Sequence, residues 1–257
     1  MTRQEHPSNS KNKARMDPEH VFHFDCSPRI SCFTHCCKDI TIVLTPYDVV
    51  RLKRGIGISS DEFLERYTII IPKQKRLIPM VVLKMNETDK RCPFVGGDGC
   101  SVYPDRPWAC RMYPLDMNDD GTFSLITDSS HCLGLEADER ARISNWLVEQ
   151  GLPAYDEMNT LLAHVTSPLR AQELDIDNPK IGQMTFMALY NLDKFRDFVI
   201  KSTFLDRFDV DRIRVEKIKR SDVELLKFGI DWIKFGVFGQ KVFQVKDSAL
   251  PKSDKLG

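Results

Sequence analysis

Apolar positions fall into strand-length runs in the first half of the chain and into helical spacing in the second. The runs Ile40–Leu44, Tyr67–Ile71, Leu77–Leu83 and Phe123–Ile126 predict short strands. Between them Thr45-Pro46 opens a short helix over Tyr47–Arg54, with Thr45 as cap and Pro46 in the first turn. Ser59-Ser60-Asp61 opens another over Ser60–Arg66, with acids at its positive end. Gly96-Gly97-Asp98-Gly99 predicts a tight loop and, without a following Gly-Lys-Ser/Thr, no phosphate loop.

From Glu136 the period changes. Ala137–Gln150 places Ile143, Trp146 and Leu147 on one face and stops at Gly151. Pro153–His164 carries Met158, Leu161 and Leu162. Leu192–Phe208 carries Phe195, Phe198, Val199 and Leu205, and Asp222–Phe238 carries Leu225, Phe228, Ile230, Trp232, Ile233 and Phe235. These aromatic stripes are expected to be core. The bases of Arg212–Arg220 alternate with Asp211 and Glu216 and predict a solvated face, and Lys53 is expected at the surface.

The resulting fold class is α+β: a small irregular cysteine-rich half with short strands, packed against a helical C-terminal half. Residues 1–20 and 246–257 are polar and aperiodic and are expected as disordered tails. They bracket a cysteine-cluster domain over 21–135 and a helical domain over 136–245.

The 257 residues carry 37 basic and 37 acidic side chains, so no whole-protein field attracts nucleic acid or an anionic membrane. No apolar segment is long enough to span a bilayer, and the first residues contain no apolar signal core. A cytoplasmic location follows as the expectation, where thiols stay reduced. In that compartment eight cysteines predict metal or catalysis rather than disulfides.

All eight cysteines lie within the first 132 residues. Cys26, Cys32, Cys36 and Cys37 form one group, Cys92, Cys100 and Cys110 a second, and Cys132 stands alone. All eight are candidate ligands. Of the spacings only Cys32-x3-Cys36 fits a zinc knuckle, and ferredoxin spacings are absent. The pattern therefore predicts metal and leaves its identity, iron–sulfur cluster or zinc, open. Neighbouring side chains diverge, so Cys36 and Cys37 either serve two sites or only one of them ligates. His23, His35 and His131 stand near cysteines as further candidates.

Asp105-Arg106-Pro107 predicts a helix start, with Pro107 in its first turn, that would lower the pKa of Cys110 soon after it. Arg106 and Arg111 are expected either to pair with Asp105 or Asp116 or to donate to cluster sulfur. The two cysteine groups are expected to meet, with Cys36, Cys37, Cys100 and Cys110 at the core of the site.

Three segments resemble the zinc- or iron-chelating CxxCxxCC domain family, the YkgJ-type cysteine-cluster proteins. They are CCKDITIVLTPYDVVRLK, CPFVGGDGCSVYPDRPWACRMYP and the Cys132-Leu133-Gly134 ending, together spanning roughly Cys26 to Gly134. The first cluster departs from the family spacing, reading Cys26-x5-Cys32-x3-Cys36-Cys37. In this it is similar to divergent members that include the flagellin lysine N-methylases. That resemblance implies a cluster, with 4Fe-4S favoured over zinc, working beside S-adenosylmethionine, although the chain carries no glycine-rich methyl-donor loop.

Three function classes are thus open. One is an iron–sulfur protein with a redox or transferase role, which includes a protein lysine methyltransferase. The second is a zinc-stabilised module whose helical half binds a protein partner, and the third is a metal carrier. No HExxH, Ser-His-Asp order or dinucleotide fingerprint supports an ordinary hydrolase or dehydrogenase.

Overall fold

The computed structural model describes residues 14–71, 78–171 and 178–249, the side chains of 168–171 excepted. Most of both expected tails, residues 1–13 and 250–257, and Leu77 of the strand expected over Leu77–Leu83 lie outside the described residues.

In chain order the cysteine half holds β1 (Val21–His23), α1 (Pro46–Ile56), α2 (Ser60–Tyr67), β2 (Thr68–Ile71), β3 (Met80–Leu83), β4 (Val95–Gly96), β5 (Gly99–Cys100), α3 (Trp108–Met112), β6 (Leu115–Met117) and β7 (Phe123–Leu125). The second half holds β8 (Arg140–Arg142), α4 (Ile143–Glu149), α5 (Leu152–Ala171), α6 (Pro179–Leu189), α7 (Leu192–Lys201), α8 (Phe204–Arg207), β9 (Phe208–Asp209), α9 (Arg212–Arg220), α10 (Asp222–Phe238) and β10 (Gln244–Val245). Every strand pair is antiparallel, so the class is α+β.

The strands are short because each pair serves only to pin a loop. Ile40–Leu44 reduces to a bridge, Val43 against Val82, with Leu44 N–H donating to Val81 O at 2.8 Å and Leu83 N–H to Ile42 O at 2.9 Å. α1 begins where expected: Thr45 accepts from Asp48 N–H, and Asp48 accepts back from Thr45 N–H at 2.7 Å, a capping box. Met16 is buried and bonds Phe123 in both directions, so this part of the expected N-terminal tail is built into the fold.

Two helical expectations need correction, and a further helix, α6, was not expected. Residues 137–142 are not helical; Arg140–Arg142 pairs with Val21–His23 instead. The apolar positions that suggested a helix, Ile143, Trp146 and Leu147, all lie after that strand, and tertiary pairing decides what periodicity does not reach. Leu192–Phe208 breaks at Ser202, whose backbone is extended and whose hydroxyl accepts from Phe204 N–H at 3.1 Å. A serine side chain that bonds nearby backbone competes with the helix in this way.

The core is continuous across both halves. Leu44, Val49, Leu52 and Phe63 of the first half share one buried cluster with Tyr155, Leu189, Phe195, Leu225 and Phe228 of the second. The aromatic stripes are core: Phe195, Phe204 and Phe228 are buried against one another. A smaller cluster packs Phe22, Met112, Leu115 and Phe123 against Ile143, Trp146 and Leu152. This cluster seats the end of α3 on α4.

Lys53 is not on the surface. Only 5% exposed, it joins α1 to the helical half through Asp222 at 2.8 Å and Asp193 at 3.1 Å. Burial alone would raise the Asp193 carboxyl, but the Ser60 amide and hydroxyl and the Lys53 ammonium hold it down to about 2. Arg196 pairs with both aspartates as well. Lys53→Ala should therefore destabilise the protein by about 1 to 3 kcal/mol, below the roughly 3 to 5 kcal/mol of a fully buried pair because Arg196 remains. A urea midpoint unchanged from the parent would show that Arg196 alone carries this network.

Candidate metal centre

The first cysteine group is assembled by loops that lean on the ends of β1 and β8. Phe24 N–H donates to Glu139 O at 3.2 Å and Asp25 N–H to Gly134 O at 3.1 Å, which sets Cys26 beside the turn that begins at Cys132. Gly134 has to be glycine. A Cβ there would lie 2.3 Å from Asp25 O, a backbone atom that cannot move without displacing Cys26. This gives the Cys-x-Gly ending a physical reason.

Between Cys26 and Cys37 the chain coils through consecutive turns. Ile30 N–H donates to Ser27 O, Phe33 to Ile30, His35 to Cys32 and Cys37 to Thr34, all at 2.9 to 3.0 Å. Thr34 takes φ 66°, a conformation costly for a β-branched residue, immediately before the His35–Cys37 turn.

The second group joins the first through backbone. Cys92 N–H donates to Cys37 O at 2.8 Å and Asp39 N–H to Lys90 O at 2.8 Å. The Gly96–Gly99 loop is the tip of the β4–β5 hairpin, which places Cys100 opposite Val95. Phe33, from the first group's coil, packs on that hairpin: a Cβ on Gly99, itself at φ 105°, would meet the Phe33 ring at 3.0 Å.

Asp48 attaches the third segment. Its Oδ2 accepts from Thr45 N–H while its Oδ1 accepts from Trp108 N–H at 2.8 Å, capping α3. One buried carboxylate thus fixes both the helix after the Cys-Cys segment and the helix that carries Cys110.

The thiols are neighbours in space as well as in sequence. Burial, then the charges of Cys36, Cys132 and Cys32, push Cys26 up from 9.0 to about 11. The neighbouring Cys37 thiol, followed by burial, drives Cys36 far up, so the adjacent thiols lie close enough to influence each other. Burial, then Cys92 and Asp48, pushes Cys110 up to about 12. Burial raises Cys92, Cys100 and Cys132 too, with Cys100 acting on Cys92, and Cys32 and Cys36 acting on Cys132.

Cys26, Cys32, Cys36 and Cys132 therefore share one neighbourhood and Cys92, Cys100 and Cys110 another, with Cys37 at the seam. Cys132, alone in sequence, is brought to the first group. All eight are free thiols. Among the described residues no three Cys, His, Asp or Glu side chains converge as a ready ligand sphere.

Two local expectations fail. Pro107 is the cap of α3, not part of its first turn, and α3 is only five residues long with Cys110 at its middle. Its first amide is taken by Asp48, and burial outweighs any helix-end effect, so Cys110 is raised rather than lowered.

The arginines do not pair as expected either. Asp105 binds Arg51 at 2.7 Å. Arg111 is buried and donates to three backbone carbonyls, Arg106 at 3.0 Å, Pro104 at 2.6 Å, and Gln150. It is a clamp between the α3 segment and the helical half. Arg106 bonds the Gln150 side chain, stacks on Tyr103 at 4.1 Å and lowers the pKa of Cys36, Cys100 and Cys110.

His23 bonds Ala137 O at 3.0 Å, and His131 bonds Asp128 at 3.0 Å. Reasoning from sequence missed Asp48, whose signal was its place three residues after the Thr45 cap, and Tyr113, whose hydroxyl lies near the Cys132 thiol and is held up by burial and by that thiol.

The donor chemistry fits zinc or iron. Soft thiols are grouped, and two of the buried polar atoms left without a partner among the described residues, Ser27 Oγ and Arg106 Nε, lie next to Cys26 and close to Cys36, Cys100 and Cys110.

A thiol-rich centre of this kind defines a class of metal-chelating domain. The model of the CxxCxxCC family, described as "Putative zinc- or iron-chelating domain", matches residues 25–133, and over this segment the chain is similar to that family. No curated protein and no solved structure matches the chain.

Two outcomes follow. Gly134→Ala should push Cys26 away from Cys132 and lower bound metal per folded chain; undiminished metal would mean that this contact does not shape the site. In metal-free protein the raised thiols contribute stability that is fully present below pH 9.0 and lost as pH climbs toward about 11 to 12. Urea midpoints of chelator-treated protein should fall over that window, and Cys110→Ser should flatten the fall; an equally steep fall would remove Cys110 as a source.

Proposed function

We propose that the chain holds metal through two adjoining sets of four thiolates that meet at the Cys36–Cys37 pair. The first set is Cys26, Cys32, Cys36 and Cys132, and the second is Cys37, Cys92, Cys100 and Cys110. The observation that carries this reading is the neighbourhood of the sulfurs. Cys132 joins the first group across nearly the whole domain, and Cys37 is tied by its carbonyl to Cys92. Four thiolates are the complement of a structural zinc ion and of a [4Fe–4S] cluster. We assign iron–sulfur to these sets.

A bound cluster would supply one-electron chemistry, and a redox role or a transferase role drawing on it is the function this reading implies. The protein's own part is to gather the thiols, bury them and keep them protonated until metal displaces the protons. The raised pKa values of Cys26, Cys36 and Cys110 make that exchange strongly pH-dependent, with loading favoured as pH rises.

Cys36→Ser and Cys110→Ser test the division into sets. Each should remove about half of the metal measured per folded chain, in line with one lost four-thiolate set, while exposed Arg54→Ala should remove none. Complete loss in either cysteine variant would mean a single shared centre. Full retention in Cys110→Ser would take α3 out of the site.

A further inference from the structure

Arg106 is held on several sides yet left unsatisfied on one. Tyr103 stacks on its guanidinium at 4.1 Å, Gln150 takes one of its terminal N–H groups, and its own carbonyl is fixed by Tyr155 Oη at 3.0 Å and Arg111 Nε at 3.0 Å. Its Nε is buried with no hydrogen-bond partner. An orphaned buried donor of this kind is costly unless something accepts from it. Arg51, by contrast, satisfies its Nε on Asp105, and Arg111 satisfies its Nε on a carbonyl.

The surroundings of Arg106 indicate what accepts. Arg106 lies on the segment between Cys100 and Cys110 of the second set, and its charge also reaches Cys36 of the first. Each four-thiolate centre carries excess negative charge, and two such centres side by side repel each other unless a cation lies between them. A guanidinium suits this position because it stays charged at any working pH and aims its N–H groups in fixed directions.

We propose that Arg106 is the charge-compensating residue of the metal centre, donating its Nε–H to a ligating sulfur and offsetting the negative charge of both thiolate sets. This rests on the two-set reading above. Arg106 does not itself bind metal; it acts on the centre through the sulfurs, as hydrogen-bond donors outside a ligand set do.

The test is a cobalt(II) titration of full-length, chelator-treated protein against a competing chelator. Affinity and the thiolate-to-cobalt absorption band are followed for the parent, Arg106→Gln and Arg106→Lys. The expected result is an affinity lowered roughly 10- to 100-fold in Arg106→Gln, with partial recovery in Arg106→Lys and a shifted band in both. Melting temperatures of the metal-free forms should stay close to one another.

A parent that takes up no cobalt, zinc or iron would sink the metal reading itself. A parent that binds while both variants match it in affinity and band would overturn the role of Arg106. A variant that binds weakly with an unchanged band and a lowered metal-free melting temperature would reduce Arg106 to a structural residue and overturn the proposal as well.

Discussion

The cysteine half depends on one buried carboxylate. Asp48 accepts from Thr45 N–H on its own helix and from Trp108 N–H on α3, two segments sixty residues apart in the chain. Water does not reach it, so each of those bonds is charge-assisted in a poorly screened setting, where such bonds are strong. The cost of its burial, visible as a raised carboxyl pKa, is offset by the amides and by nearby Arg111. The Cys-Cys segment and the Arg-Pro segment can therefore be rigid with respect to each other although no long strand joins them.

The remaining ties act around that joint. Cys37 and Cys92 share a backbone hydrogen bond, Phe33 packs on Gly99, and Asp25 closes on Gly134. None of these is a large apolar contact, which is why the half contains two-stranded ribbons rather than a sheet. Its hydrophobic support comes from elsewhere. α1 and α2 share their core with α6, α7 and α10, and Arg111 binds the carbonyl of Gln150. The helical half is the platform on which the thiol loops are mounted.

The sequence made much of this legible and left some of it hidden, for identifiable reasons. α1 and α2 were legible because cap residues and apolar period agree, as at Thr45, and α10 because its apolar period runs from Leu225 to Phe235. The strand at Arg140–Arg142 was not, because only its partner Val21–His23 reveals it. The break at Ser202 lay inside an unbroken apolar stripe. At the site the cysteines themselves were plain, but the positions of Arg106 and Arg111 followed from Tyr103, Gln150 and Pro104 contacts that no spacing rule encodes. Lys53 looked like surface because its partners, Asp193 and Asp222, come from distant helices.

The central claim is that these thiols hold metal, and metal analysis with an absorption spectrum on anaerobically purified, full-length protein tests it most directly. The account predicts iron with acid-labile sulfide and a brown protein whose visible absorption bleaches on reduction. Stoichiometric zinc in colourless protein would contradict the iron–sulfur assignment while keeping the thiolate centre. Protein that carries neither metal, and takes up neither when it is supplied under reducing conditions, would contradict the account as a whole.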